Sequence, residues 1–140
     1  MNWKRFLSAA LFVLVAQVVL DFIFHTLILG GYYSAFSLSG LFRPESEMAS
    51  FFWVRIITYL VFCFFFVLIF VRGYENRGLM EGIRYGIYMA IFIGFVMSFN
   101  MFVWFGIPYW LAWVWIVIDL VEFIIMGIIA ALVYKPRPGA

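Results

Sequence analysis

Residues 110–134 read WLAWVWIVIDLVEFIIMGIIAALVY, and only Asp119 and Glu122 in that run are charged. A helix rises 1.5 Å per residue, so the run can cross the roughly 30 Å hydrocarbon core of a bilayer. It lacks the two-residue alternation and regular turns of a membrane barrel strand. Three more stretches share this character, at 6–29, 49–71 and 82–105. The sequence therefore predicts an all-α membrane protein, a four-transmembrane-helix bundle forming a single integral membrane domain over residues 1–140.

Composition points the same way. The 140 residues are 68% hydrophobic and 24% aromatic, and 11% are charged. Soluble domains carry about 25% charged residues, and a globule of this size has too little interior to hide so much apolar surface. A soluble enzyme is excluded, and so is a disordered chain, which needs the opposite composition. The single cysteine, Cys63, excludes an intrachain disulfide framework and zinc-finger spacing. The single histidine excludes bis-histidine haem within one chain, leaving only a His25/Met pair for that cofactor. A net charge of +2 is too small for a nucleic-acid footprint, so the expected partner is the lipid bilayer.

Orientation follows from the basic residues. Lys4, Arg5, Arg72, Arg77, Arg84, Lys135 and Arg137 all fall on the side that holds both termini. The other side has Arg43, with Arg55 just inside the second span. The positive-inside rule then predicts a multi-pass cell inner-membrane protein with N-in/C-in topology and both termini cytoplasmic. Tyr32, Tyr33, Trp53, Trp104, Tyr109, Trp110 and Trp113 read as an outer aromatic belt, and Trp3, Tyr74, Tyr85 and Tyr134 as an inner one. The first stretch is read as a retained span, since its apolar run is long, contains Asp21 and His25, and lacks a small-x-small cleavage site.

The longest connection, 30–48, has a semi-apolar centre that suits the membrane interface. Pro44 fits a first helical position, which would set Glu45 and Glu47 at the positive end of the second span. The connection Gly106-Ile107-Pro108-Tyr109 is short and uncharged, so spans three and four should be antiparallel neighbours.

The third span carries a small residue at every fourth position: Gly78, Gly82, Gly86, Ala90, Gly94 and Ser98. Such a stripe lets two backbones approach closely, which lipid-embedded helices need because lipid offers no hydrophobic drive for association. The first reading is a groove for a neighbouring helix of the same chain. The alternative is a homodimer seam or a contact with another membrane subunit. Ahead of it, Arg77/Glu81 and Glu81/Arg84 are spaced for side-chain pairing on a helix. The segment reads as an ordered turn and not as a phosphate-binding loop, since no strand precedes its glycines.

Ionisable residues inside the spans are the candidate site. Gln17, Asp21 and His25 stand four apart, as do Arg55, Tyr59 and Cys63, while Trp115, Asp119, Glu122 and Met126 share one face. Asn100 joins Met97, Met101 and Trp104 on the third span. By helical rise, Asp21 and Asp119 lie about 12 Å below the outer surface, His25 about 6 Å and Glu122 about 17 Å. Arg55 and Asn100 fall within roughly 8 Å of that surface. If all face the bundle axis, the six form one polar pocket in the outer half of the bilayer.

Such residues are costly, at about 2.5–3.5 kcal/mol for a charge at mid-span. They pair with each other or carry protons, because burial disfavours the charged form. Three carboxylates against one Arg and one His leave a deficit of positive charge that protons, a metal ion or a cationic ligand would fill. Asp21, His25 and Glu122 are the candidate metal ligands, offering oxygen and nitrogen donors for iron, manganese or zinc. A quinone, lipid or pigment site is a further option. Cys63, flanked by Phe62 and Phe64 at mid-bilayer, gives nucleophilic catalysis little support.

The segment Gly73–Gly86, the Asp21-x-x-x-His25 stripe, the Arg43-Pro44 pair, Pro108 and the closing Tyr134-Lys135-Pro136 resemble a group of small bacterial four-span inner-membrane proteins of unassigned function. The resemblance implies a bacterial inner-membrane address and carries no chemistry. The sequence thus yields two expectations: a site that binds or translocates a proton, cation or small ligand, or a structural accessory subunit whose buried charges fix helix packing.

Overall fold

In the computed structural model, residues 1–135 are described. Pro136 and Arg137, which entered the sequence reading, lie outside the described residues, as do the side chains of Leu38 and Glu45. All regular structure among the described residues is helical. Four helices are long and apolar enough to cross a membrane: α1 (Trp3–Ile28), α4 (Phe52–Arg72), α5 (Leu79–Trp104) and α6 (Tyr109–Tyr134). Between the first two lie the short helices α2 (Gly30–Leu38) and α3 (Glu45–Ser50). Two spans are not α-helical throughout, since Phe22–Ile28 of α1 and Ala90–Phe95 of α5 wind as π-helix.

The helix starts follow local chemistry. The Asn2 side chain accepts from Arg5 N–H at 3.2 Å and so caps α1. Pro44 precedes α3, not the span itself, because the chain breaks at Phe51 before α4 begins. Residues 45–50, ESEMAS, are too polar to enter the bilayer and form their own turn, and the crossing starts only at the aromatic pair Phe51-Phe52. Glu47 therefore does not cap the second span but pairs with Arg43 at 3.1 Å. At α5, Gly78 sits at φ 72° as the residue before the helix, a conformation that favours glycine. It lies outside the packing stripe. Glu81, 8% exposed, accepts from the Glu75 N–H at 2.6 Å and the Arg77 N–H at 2.8 Å. Neither the Arg77 nor the Arg84 side chain pairs with it: the loop's own amides, which have no helical partner, claim both oxygens first.

Helix α6 is the centre of the bundle. It packs along α5 and α1, while α4 packs mainly on α1. The small-residue stripe receives α6 of the same chain. A Cβ on Gly82 would overlap the Gly127 carbonyl, and one on Gly86 would overlap the Phe123 carbonyl. Ala90 and Ser98 are buried on the same face. The connection through Ile107 is tight, and α5 and α6 are antiparallel neighbours as its length predicts. Both described chain ends lie at one end of the bundle, where Asn2 N–H donates to the Tyr134 hydroxyl at 3.3 Å. That termini end holds the larger core cluster, which includes Phe6, Val13, Phe66, Phe70, Phe123 and Met126. A smaller one at the far end joins Leu29, Ile107, Leu111, Ala112 and Ile118.

Two tyrosines assigned to the aromatic belts turn inward instead. Tyr85 donates its hydroxyl to the Phe66 carbonyl at 2.5 Å, and Tyr33 enters the polar cluster of the far half. Each phenol finds a polar partner within the bundle, which a position in the belt would not supply.

Candidate functional site

The α1 stripe of Gln17, Asp21 and His25 does face the other helices, but its three members meet three different partners. Asp21, the last residue of the α-helical part of α1, meets α4. Arg55 donates from Nη2 to Asp21 Oδ2, and Tyr59 donates its hydroxyl to the same oxygen at 2.6 Å. Tyr59 in turn accepts from Arg55 Nε at 2.6 Å. The triangle is closed, with each charge compensated inside it. It faces a groove of about 430 Å³ between α1 and α4, walled by Val18, Phe22, Phe52 and Ile56. The Arg55 side chain is 50% exposed and that of Asp21 16%. The clasp thus borders the groove and is not sealed in the bundle.

Gln17 meets Glu122 on α6. Gln17 Nε2 donates to Glu122 Oε2 at 3.2 Å, and the two residues are 7% and 2% exposed. Their other oxygens, Gln17 Oε1 and Glu122 Oε1, are sealed from solvent and have no hydrogen-bond partner among the described residues. Leaving a buried polar atom unpaired costs about 1–3 kcal/mol, and leaving a buried charge unpaired costs more. Among the described residues, an amide nitrogen is therefore the one donor to the Glu122 carboxyl group, and no ion pair forms there.

His25 lies in the π-helical stretch and turns towards α2. Its Nδ1 is 2.7 Å from the Tyr33 hydroxyl, which accepts from Trp115 Nε1 at 2.7 Å. Burial pushes the Tyr33 hydroxyl up to about 12, opposed by the Trp115 bond and reinforced by the nearby Asp21 and Asp119 carboxylates. Tyr33 therefore keeps its proton near neutrality. Trp115 can only donate, so the Tyr33 oxygen accepts there, while the direction of its bond with His25 Nδ1 follows the imidazole tautomer.

The remaining two residues do not join these contacts. Asp119 faces Gly94, where a Cβ would stand 2.7 Å from its Oδ2, so the glycine makes room for the carboxylate. Among the described residues Asp119 forms no hydrogen bond or ion pair. Asn100 is exposed and donates back to the Val96 carbonyl of its own helix at 2.8 Å. It is not part of the pocket, because the close packing of α5 on α6 through Ser98 turns the Asn100 face outward.

The single pocket expected from the sequence is thus three separate contacts and one unpaired carboxylate. The metal set fails on the same ground. Asp21 is turned to Arg55, His25 to Tyr33 and Glu122 to Gln17, and no three His, Cys, Asp or Glu side chains among the described residues are arranged to hold a metal ion. Gln17, Tyr59 and Trp115 each stand four residues from a charged candidate, and that spacing was their signal in the sequence. Tyr33 lies beyond the end of the span and had none. Comparison with protein-family models, with curated proteins and with solved structures gives no match.

Proposed function

We propose that this multi-pass protein resides in a bacterial inner membrane with both termini in the cytoplasm, and that it binds and translocates a proton through the Gln17–Glu122 pair. The donorless oxygens of Gln17 and Glu122 carry this reading. A proton on Glu122 removes an uncompensated charge from the bundle and supplies a donor where both oxygens lack one. Asp119, three residues towards the far end on the same helix and without a partner of its own, is the next proton acceptor. Asp21, which borders the groove between α1 and α4, is the third carboxylate of the series.

The orientation rests on charge. Lys4, Arg5, Arg72, Arg77, Arg84 and Lys135 stand at the termini end, against Arg43 and Arg55 at the far end. An excess of Lys and Arg beside the spans marks a cytoplasmic face.

The test is proton flux into liposomes holding the full chain. Wild type is expected to dissipate an imposed pH gradient faster than empty liposomes, and Glu122→Gln to fall to their rate. A wild type no faster than empty liposomes overturns the reading. The closed Asp21–Arg55–Tyr59 triangle favours a second reading, an accessory subunit whose charges lock the helices in register. In that case Asp21→Asn lowers thermal stability while the protein moves no protons.

A further inference from the structure

A second groove, of about 450 Å³, lies at the termini end between α4 and α5, where the proton-binding pair plays no part. The two helices are consecutive in the chain yet pack on different neighbours, α4 on α1 and α5 on α6. They meet where Tyr85 touches Phe66 and Phe70. Below that contact the groove has an apolar floor of Ile69, Phe70, Tyr85 and Tyr88, and a rim that includes Arg77 and Arg84.

The rim has as many acids as bases, but their hydrogen-bonding capacity is not balanced. Both Glu81 oxygens accept backbone N–H groups, and Glu75 Oε2 accepts from Arg77 Nε at 2.7 Å. Arg84 forms no hydrogen bond or ion pair with a described residue, and neither does the adjacent Arg72. What the rim still offers is donors, the whole Arg84 guanidinium and the outer nitrogens of Arg77. Guanidinium groups match phosphate oxygens in pairs of parallel hydrogen bonds. From the Arg84 rim the floor runs to Tyr88, about 6 Å along the helix axis. A donor rim above a short apolar trench on the bundle surface fits a molecule with a phosphate head and the first carbons of a hydrocarbon tail.

We propose that this groove binds an anionic phospholipid, with its phosphate at Arg84 and Arg77 and an acyl chain over Ile69, Phe70 and Tyr88. Free phosphate would use the rim and leave the floor uncovered. The groove at the far end, beside Arg43 and Arg55, is larger, but each of its guanidiniums pairs with a carboxylate and neither is left whole as Arg84 is. It is the internal control.

The experiment is native mass spectrometry of the full chain released from nanodiscs holding equal amounts of phosphatidylglycerol and phosphatidylcholine. Wild type should retain phosphatidylglycerol in preference to phosphatidylcholine. Arg84→Gln should lower that retention about fivefold, the effect of one basic side chain at an anionic surface. Arg77→Gln should lower it as well, and Arg43→Gln should leave it unchanged. Millimolar inorganic phosphate should not displace the lipid from wild type. Equal retention of the two lipids overturns the proposal, as does wild-type retention in both Arg84→Gln and Arg77→Gln. Displacement by inorganic phosphate alone overturns the lipid in favour of the free ion.

Discussion

His25 and Tyr33 stack at 5.8 Å between ring centroids and 15° between planes, and their polar atoms meet at 2.7 Å. The contact ties the π-helical end of α1 to α2, and the Trp115 N–H extends it to α6. Tyr33→Phe removes the acceptor of Trp115 and the hydrogen-bond partner of His25 Nδ1 together. It should cost about 1–3 kcal/mol in detergent-unfolding measurements. Adding Trp115→Phe should then cost little more, since the bond it would break is already gone, and fully additive losses would contradict the shared hydroxyl.

The same hydroxyl has a titration signature. An unfolded tyrosine loses its proton near pH 10, whereas Tyr33 holds its own up to about 12. Across that window the folded chain binds a proton that the unfolded chain has released. The stability from Tyr33 is thus complete below pH 10 and lost as pH rises through about 12. Subtracting the ultraviolet tyrosinate curve of Tyr33→Phe from that of wild type should leave a step near the upper value, and a step near 10 would refute it.

Gly82 and Gly127 bring two backbones into contact, so the first methyl group added there has nowhere to go. Gly82→Ala should destabilise by about 1–3 kcal/mol, the usual cost of overpacking. Gly31→Ala, where an added Cβ meets nothing within 4 Å, is the matched control and should be neutral or slightly stabilising. Equal thermal shifts for the two would disprove close packing along the stripe.

Asp21 and Arg55 form a pair with one half-exposed member, so the pair itself should contribute no more than about 1 kcal/mol. Removing only Arg55 is worse, because the Asp21 carboxylate is then left with Tyr59 alone. Arg55→Gln should therefore unfold more readily than the double variant Asp21→Asn/Arg55→Gln. The reverse order in a double-mutant cycle would mean that the two charges act independently.

Glu122→Gln and Glu122→Ala separate charge from volume. The glutamine has the same shape and brings an N–H donor to Gln17, so it should be clearly more stable than the alanine variant. The alanine leaves a cavity and strands the Gln17 amide, at about 2–5 kcal/mol. A glutamine variant as unstable as the alanine would show that the pocket needs the carboxylate charge.

Length and apolarity made the four spans legible, because crossing a bilayer demands both from a contiguous run. The third span also carried enough information to place Asn100. The small-residue stripe ends at Ser98, and two further residues turn a helix by about 200°. A stripe packed inward therefore sends Asn100 outward, and the two expectations for that span could not both hold. His25 was harder. A spacing of four puts two residues on one face without saying which neighbour each meets, and His25, in the π winding of Phe22–Ile28, turns to α2 while Asp21 turns to α4. Tyr33 lies across a turn from His25, a relation that helical periodicity does not encode. The break at Phe51 likewise depends on where polarity gives way to the bilayer.

The buried residues of α4 are Cys63, Phe66, Val67 and Phe70, all in the half nearer the termini end. From Phe52 to Leu60 the helix places nothing in the core, and Arg55 and Tyr59 hold that stretch to α1 through a single carboxylate. In mechanical terms α4 is a cantilever, rooted in aromatic packing at one end and latched at the other by Asp21. Neutralising that carboxylate would release the latch without disturbing the root.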